Sequence, residues 1–292
     1  MKVKAYAKIN LVLDIFGKDL KTGYHEMWTI FQQIDLHDVL EIKKISAPDI
    51  GITSNDPHLP INEKNTVYKA IKVLAETLGG LEKIPTGVHV AIEKNIPVAA
   101  GLGGGSSDAA ETLKALNELW KLNLSLEKLE ELASKIGMDV PFFIRGGTSV
   151  GNHYGEKIQP LPPLKKWCAL LVDPGTRMSS SDAYSEIDHC QNTQDIDKTR
   201  TLLRILKNPD ISAAKNATDN FGELIHNDFD RLYREKLQPM YQKLHELKAQ
   251  KVTCTGSGSF HFAVFKNEHV LRAALKELEK STWKARKIQA RF

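Results

Sequence analysis

Apolar and polar residues alternate along residues 3–13, VKAYAKINLVL. Val3, Ala5, Ala7, Ile9, Leu11 and Leu13 share one face, and Lys4, Tyr6, Lys8, Asn10 and Val12 share the other. A period of two predicts a strand with one face in a core. Shorter runs at 38–45 (DVLEIKKI) and 88–94 (VHVAIEK) predict two more strands. Between them the period changes. Val67, Ala70, Ile71, Leu74 and Leu78 recur at helical spacing until Gly79-Gly80 ends the pattern. A second helix is predicted from Ser106 to Leu122, with Ala109, Ala110, Leu113, Leu116 and Trp120 inward. A third follows Ser125 as N-cap, with Leu126, Leu129, Leu132, Ala133 and Ile136 as its apolar stripe and Gly137 as its end.

The proline-rich IQPLPPLKK at 158–166 interrupts this order and predicts a boundary between two domains, 1–158 and 159–292. Beyond it, WCALLVDPG reads as a buried strand running into a turn. Helical patterns dominate 181–250, apart from a polar stretch at 188–198 that reads as a loop. KVTCTGSGSFHFAVF reads as two strands joined by a glycine turn, followed by a helix over about 267–280 and a last strand in the basic tail. Strands and helices mixed in both halves predict an α+β fold of two lobes with a cleft between them.

Composition narrows the class. With 292 residues, 41% of them hydrophobic, the chain can bury a large core. Forty Lys+Arg against 36 Asp+Glu leave +4, enough to favour an anionic metabolite but short of a nucleic-acid footprint. No run approaches the roughly 18 consecutive apolar residues of a membrane span, and no apolar leader follows Lys2 and Lys4. Cys168, Cys190 and Cys254 show no CxxC spacing and read as reduced thiols without a metal role. A cytoplasmic protein, monomeric or weakly dimeric and without membrane or nucleic-acid partners, is expected.

The candidate chemistry lies in IPVAAGLGGGSSDAAETLKALNELW, residues 96–120, where glycines crowd the start of the second helix. The first N–H groups of a helix have no internal partner, and its dipole places about half a positive charge there. Glycines remove the Cβ atoms that would keep an anion from those groups. Gly101, Leu102, Gly103, Gly104, Gly105, Ser106 and Ser107 are therefore candidate phosphate ligands, with Ser107 a candidate magnesium ligand. Asp108 would repel a phosphate and is expected to point away. The run has no Gly-Lys-Ser/Thr ending, so it is not a Walker A loop.

PVAAGLGGGSSDAA resembles the second motif of the GHMP kinases, the superfamily of galactokinase, homoserine kinase, mevalonate kinase and phosphomevalonate kinase. Four further segments, at 7–38, 136–143, 173–184 and 255–265, are similar in order and content to one branch of it, whose acceptor alcohol carries a cytidine diphosphate. The resemblance implies a two-lobe GHMP kinase fold with the active site between the lobes. It implies ATP as co-substrate, Mg2+, and phosphoryl transfer to an alcohol within isoprenoid precursor supply. It assigns Lys8 and Asp139 to catalysis, and Asn65, Lys94 and Pro97 to ATP beside the glycine run. Asn10, Tyr24, His25, Ser180, Tyr184, Gly256 and Ser257 are assigned to the acceptor, with Tyr24 and Tyr184 sandwiching the base. Local chemistry agrees on one point. Asp139 lies between the end of the third helix and apolar PFFI, where a carboxylate needs a cation, and Lys8 is the nominee.

The chain departs from the family at GNHYGEK, where Asn152, His153 and Tyr154 replace a glycine-rich acidic run, and at Met138, where a small residue is usual. Two rival readings stand beside this one. A kinase acting on mevalonate, homoserine or a sugar would have no base for Tyr24 and Tyr184 to stack. A non-catalytic nucleotide- or RNA-binding protein would have no use for Lys8 with Asp139.

Overall fold

The computed structural model describes residues 1–46, 49–164, 167–190, 196–208 and 221–291. A long hairpin organises the first lobe: β1 (Lys2–Lys18) pairs antiparallel with β2 (His25–Ile45). The second half of β2 then pairs with β4 (Gly87–Glu93), which carries β3 (Ile50–Ser54) at the edge. Its first half pairs instead with β5 (Thr148–Asn152), itself paired with β6 (Lys157–Leu161). Four helices cover this sheet: α1 (Thr66–Glu76), α2 (Gly104–Leu119), α3 (Leu126–Ser134) and α4 (Val140–Arg145). Their stripes meet Phe31, Leu40, Val88 and Val90 in one apolar core.

The second sheet runs β11 (Lys284–Ile288), β7 (Cys168–Asp173), β10 (His261–Phe265), β9 (Ala249–Cys254), antiparallel throughout. Around it lie α5 (Ser180–Ile187), α6 (Ile196–Lys207), α7 (Gln238–Glu246) and α8 (Glu268–Leu278). The two lobes share a core. Ala7, Ile9 and Leu11 of β1 pack in one cluster with Ala169, Leu171, Phe262 and Val264 of the second sheet. β1 is thus covered on both sides, and its polar face is buried at Lys8 and Asn10.

Two sequence expectations shift for physical reasons. The strand expected at 38–45 begins at His25, because residues 29–34 are buried on both faces and so interrupt the period-two signal. The boundary expected at 158 falls inside β6, which still pairs with β5, and β8 (His226–Asn227) returns to the first sheet beside β1. Of the loop expected at 188–198, residues 191–195 lie outside the described residues; of the helical stretch at 181–250, residues 209–220 do; of the proline-rich break, residues 165–166 do.

The lobes also touch through backbone. Gly101, at φ +74, lies so close to the turn joining β9 and β10 that a Cβ there would fall 2.0 Å from the Thr255 carbonyl oxygen and 2.9 Å from that of Gly258. Gly101→Ala therefore has to push the turns apart and also adopt a left-handed backbone. It is expected to lower stability by about 2–4 kcal/mol, read as a fall in denaturation midpoint by urea titration.

Candidate active site

Lys8 is placed by three contacts. The ladder between β1 and β2 slips between Tyr6 and Lys8, and the Lys8 N–H instead bonds the carbonyl of Leu102 at 3.0 Å. This ties β1 to the glycine run. The ammonium donates to Asn10 Oδ1 at 2.8 Å and lies 3.4 Å from the Asp139 carboxylate. Lys8 is 3% exposed and Asp139 35%, so the pair has a sealed side and an open one. Asp139 lies past the end of α3, as the sequence suggested, but a further helix begins there. Its residue is the N-cap of α4, where the dipole favours a carboxylate, and its side chain caps nothing and is left to Lys8 and the cleft.

Asn10 lines the cleft and is held at both ends of its amide. Its Nδ2 donates to Thr29 Oγ1 at 2.7 Å, and its Oδ1 accepts from Lys8 and from the Gly256 N–H at 2.8 Å. The residue assigned to the acceptor is thus a clamp that sets Lys8 against the turn of the second lobe.

The cleft has a volume of about 900 Å³ and is walled by both lobes. On one side Pro97 and the run Gly101–Ser106 line it, ending on α2, whose N-cap Gly103 offers no side-chain hydrogen bond. The N–H groups of that first turn are the fixed donors an anion needs. Thr66 Oγ1 holds the loop from behind by donating to the Gly105 carbonyl at 2.7 Å.

Two of the expected nucleotide ligands, Asn65 and Lys94, are held by hydrogen bonds within the protein, and a third, Ser107, is buried. Ser107 is fully buried with no hydrogen-bond partner for its hydroxyl, and it is Ser106 that lines the cleft. Asn65 is the N-cap of α1, accepting from the Val67 N–H at 2.9 Å and donating to the Pro60 carbonyl at 2.6 Å. Lys94 reaches the cleft wall, but its buried ammonium is held between Asp38 and Asp108, 2.9 Å from the latter. Asp108 does turn away from the phosphate loop. Lys94 Nζ itself lies 3.2 Å from where a Cβ on Gly104 would stand, so the triad sits directly under that loop. Burial, then the neighbouring Asp38 charge, pushes the Asp108 carboxyl up to about 7 against the pull of Lys94. Burial opposes the Lys94 charge, yet the two carboxylates outweigh it and hold its pKa above the usual value.

The opposite wall is aromatic. Tyr184 stacks on His25 with ring centroids 4.9 Å apart and planes 26° apart, and meets Phe229 edge-on. Burial, followed by the nearby Asp139 charge, raises the Tyr184 phenol, which stays neutral. Asp188 lies 2.5 Å from His25 Nε2, and that bond holds the Asp188 carboxyl below its usual range. Tyr24, half exposed at the rim, leans on Tyr154, and both Tyr24 and Tyr184 line the cleft. Gly256, Ser257 and Ser180 complete the wall, and Ser257 Oγ donates to Ser180 Oγ at 2.9 Å across the start of α5.

Sequence reasoning gave no contact to Asn227 and Asp228. Asn227 Nδ2 donates to the carbonyls of Cys254 and Gly256 at 3.1 and 2.8 Å, and Asp228 accepts the Ile15 N–H at 2.8 Å. Together they brace the glycine turn against β1. A short polar HND between two helical patterns was the available signal.

The model of the GHMP kinases N terminal domain matches residues 65–147. A 4-diphosphocytidyl-2-C-methyl-D-erythritol kinase of Exiguobacterium sibiricum is 37% identical over 91% of this chain and 90% of its own. One of Lachnoclostridium phytofermentans is 36% identical over 100% and 97%. Among solved structures, a 4-(cytidine 5'-diphospho)-2C-methyl-D-erythritol kinase superposes with a TM-score of 0.76 at 28% identity, covering 99% of both chains. The Methanococcus jannaschii mevalonate kinase shares the fold, with a TM-score of 0.74 at 19% identity over 100% of this chain and 98% of its own.

The buried triad gives a pH dependence. An acid whose folded pKa lies above its unfolded value binds more protons in the native state, so its contribution to stability falls as pH rises from about 4 to about 7 and is flat beyond. Asp108→Asn keeps an acceptor for Lys94 and removes that slope. Urea unfolding at pH 5 and pH 8 should show wild type losing stability relative to the variant, by about 1–3 kcal/mol. Parallel curves would place the Asp108 proton elsewhere.

Proposed function

The chain belongs to the 4-diphosphocytidyl-2-C-methyl-D-erythritol kinases, a branch of the GHMP kinases, and from that membership we propose that it moves the γ-phosphoryl group of ATP to the 2-hydroxyl of 4-diphosphocytidyl-2-C-methyl-D-erythritol, giving the 2-phosphate and ADP. The observation that carries the residue assignment is the Lys8–Asp139 pair, 3.4 Å apart beside the uncapped start of α2.

Phosphoryl transfer requires positioning and charge stabilisation more than covalent help. The N–H groups from Gly103 to Ser106 hold the phosphates of ATP along the α2 axis. Lys8, fixed by Asn10, meets the charge that spreads over the γ-phosphoryl oxygens. Asp139 accepts the proton of the acceptor hydroxyl while the hydroxyl oxygen bonds to phosphorus and the bond to ADP breaks, its electron pair leaving on the β-phosphate. Asn10 and the Gly256 turn prevent Lys8 from collapsing fully onto Asp139, so the carboxylate keeps an open face.

Magnesium fits the donor set. The Asp139 carboxylate and the Ser106 hydroxyl both line the cleft, and a hard cation carried in on ATP needs only one or two protein oxygens. When bound, it would neutralise phosphate charge.

The acceptor's cytosine takes the aromatic wall of Tyr24, His25 and Tyr184, where stacking is worth about 1–3 kcal/mol. Its diphosphate lies toward Ser180 at the start of α5. A cytoplasmic location accords with three unpaired cysteines, Cys168, Cys190 and Cys254. No helix among the described residues is long and apolar enough to cross a membrane.

ADP release assayed with each acceptor tests the substrate. Turnover is expected with the cytidine diphosphate compound, and turnover only with mevalonate or homoserine would overturn the reading. Asp139→Asn should lower kcat by about a hundredfold or more. A kcat near that of wild type would remove Asp139 from the base role.

A further inference from the structure

Tyr154 stands where the family's run is glycine-rich and acidic, and it occupies the turn between β5 and β6. Its ring lies 5.4 Å from that of Tyr24, with planes 30° apart. Its hydroxyl donates to the Asp19 carboxylate, and the Thr22 hydroxyl lies 3.1 Å from both the Tyr154 oxygen and Asp19 Oδ2. Asp19 and Thr22 are the neck of the turn that presents Tyr24. The Asp19 N–H bonds the Tyr24 carbonyl at 2.8 Å, and the Gly23 N–H bonds the Asp19 carbonyl at 2.7 Å. A second tie joins the start of β2 to the β5–β6 turn, from the Met27 N–H to the His153 carbonyl at 2.7 Å. Tyr24 and Tyr154 both line the cleft.

We propose that Tyr154 is a positioning residue for the acceptor's base, latching the β1–β2 turn so that Tyr24 stands with one ring face covered and the other open to the cleft. The proposal rests on the reading that the acceptor carries a cytosine. Its physical ground is the exposure of the turn. Leu20 is 94% exposed and Tyr24 50%, so little core packing restrains the tip. An unrestrained tip would have to be ordered each time the base binds, at a cost in affinity. The latch removes that cost beforehand, and only for the acceptor, because the phosphate loop lies on the other wall.

Tyr154→Phe keeps the ring and deletes the donor. The acceptor KM should rise about fivefold, the equivalent of one hydrogen bond, while kcat, the ATP KM and the thermal midpoint stay within experimental error. In a Tyr24→Ala background the same substitution should have no further effect on acceptor binding measured by calorimetry, since Tyr154 acts through Tyr24. An unchanged acceptor KM, an equal rise in both KM values, or an undiminished effect without Tyr24 would each overturn the latch. Wild-type turnover of the cytidine acceptor is measured first. Its absence would sink the substrate reading and the latch with it, whereas turnover with an indifferent Tyr154→Phe would sink the latch alone.

Discussion

Two glycine turns, one from each lobe, meet with Gly101 against the backbone of Thr255 and Gly258 and the Thr255 hydroxyl on the Gly101 carbonyl. The approach of Gly101 to Thr255 lets the N–H of Gly256 reach Asn10, and Asn10 in turn takes the ammonium of Lys8. A chain of short polar contacts therefore runs from the second lobe through β1 to the reacting end of the cleft. Asn227 and Asp228 hold the far end of that chain, and the cluster shared by β1 and the second sheet holds its flanks. In this arrangement the lobes cannot shift against each other without moving Lys8.

The polar residues around the cleft divide into those already committed and those with capacity left. Asn10, Asn65 and Lys94 spend their hydrogen bonds inside the protein, as buried polar groups must. Asp139, Ser106, Tyr24 and the N–H groups at the start of α2 keep an open side. A substrate meets the second group, held in place by the first. The Lys94 triad shows the economy of this plan: its charges support the loop from below and leave its upper face to main-chain donors.

Much of the fold was legible from period alone. The stripes of α1, α2 and α3 and the alternation of β1 gave those elements within a few residues. The first half of β2 was hidden, since a strand buried on both faces reads as an unpatterned run; Thr29 and Gln32 inside it are buried polar residues whose partners lie on other strands. At the site, the glycine run announced itself through helix electrostatics, and the resemblance supplied Lys8 and Asp139. What sequence could not give was which neighbour would claim a polar atom first. Ser106 and Ser107 are adjacent and chemically identical, yet helical geometry turns one into the cleft and the other into the core. Tyr154 and Asp19 lie on turns far apart in sequence, and only the pairing of β2 with both β1 and β5 brings them together.

The claim that Lys8 serves the transferring phosphoryl group, and is not a structural cation, is open to direct measurement by single-turnover phosphoryl transfer with Lys8→Met. Because the loop at α2 holds ATP through main-chain groups, the nucleotide dissociation constant should change by less than about threefold. The transfer step, which loses a cation where charge develops, should slow by about a thousandfold. A transfer rate within about tenfold of wild type would contradict the account.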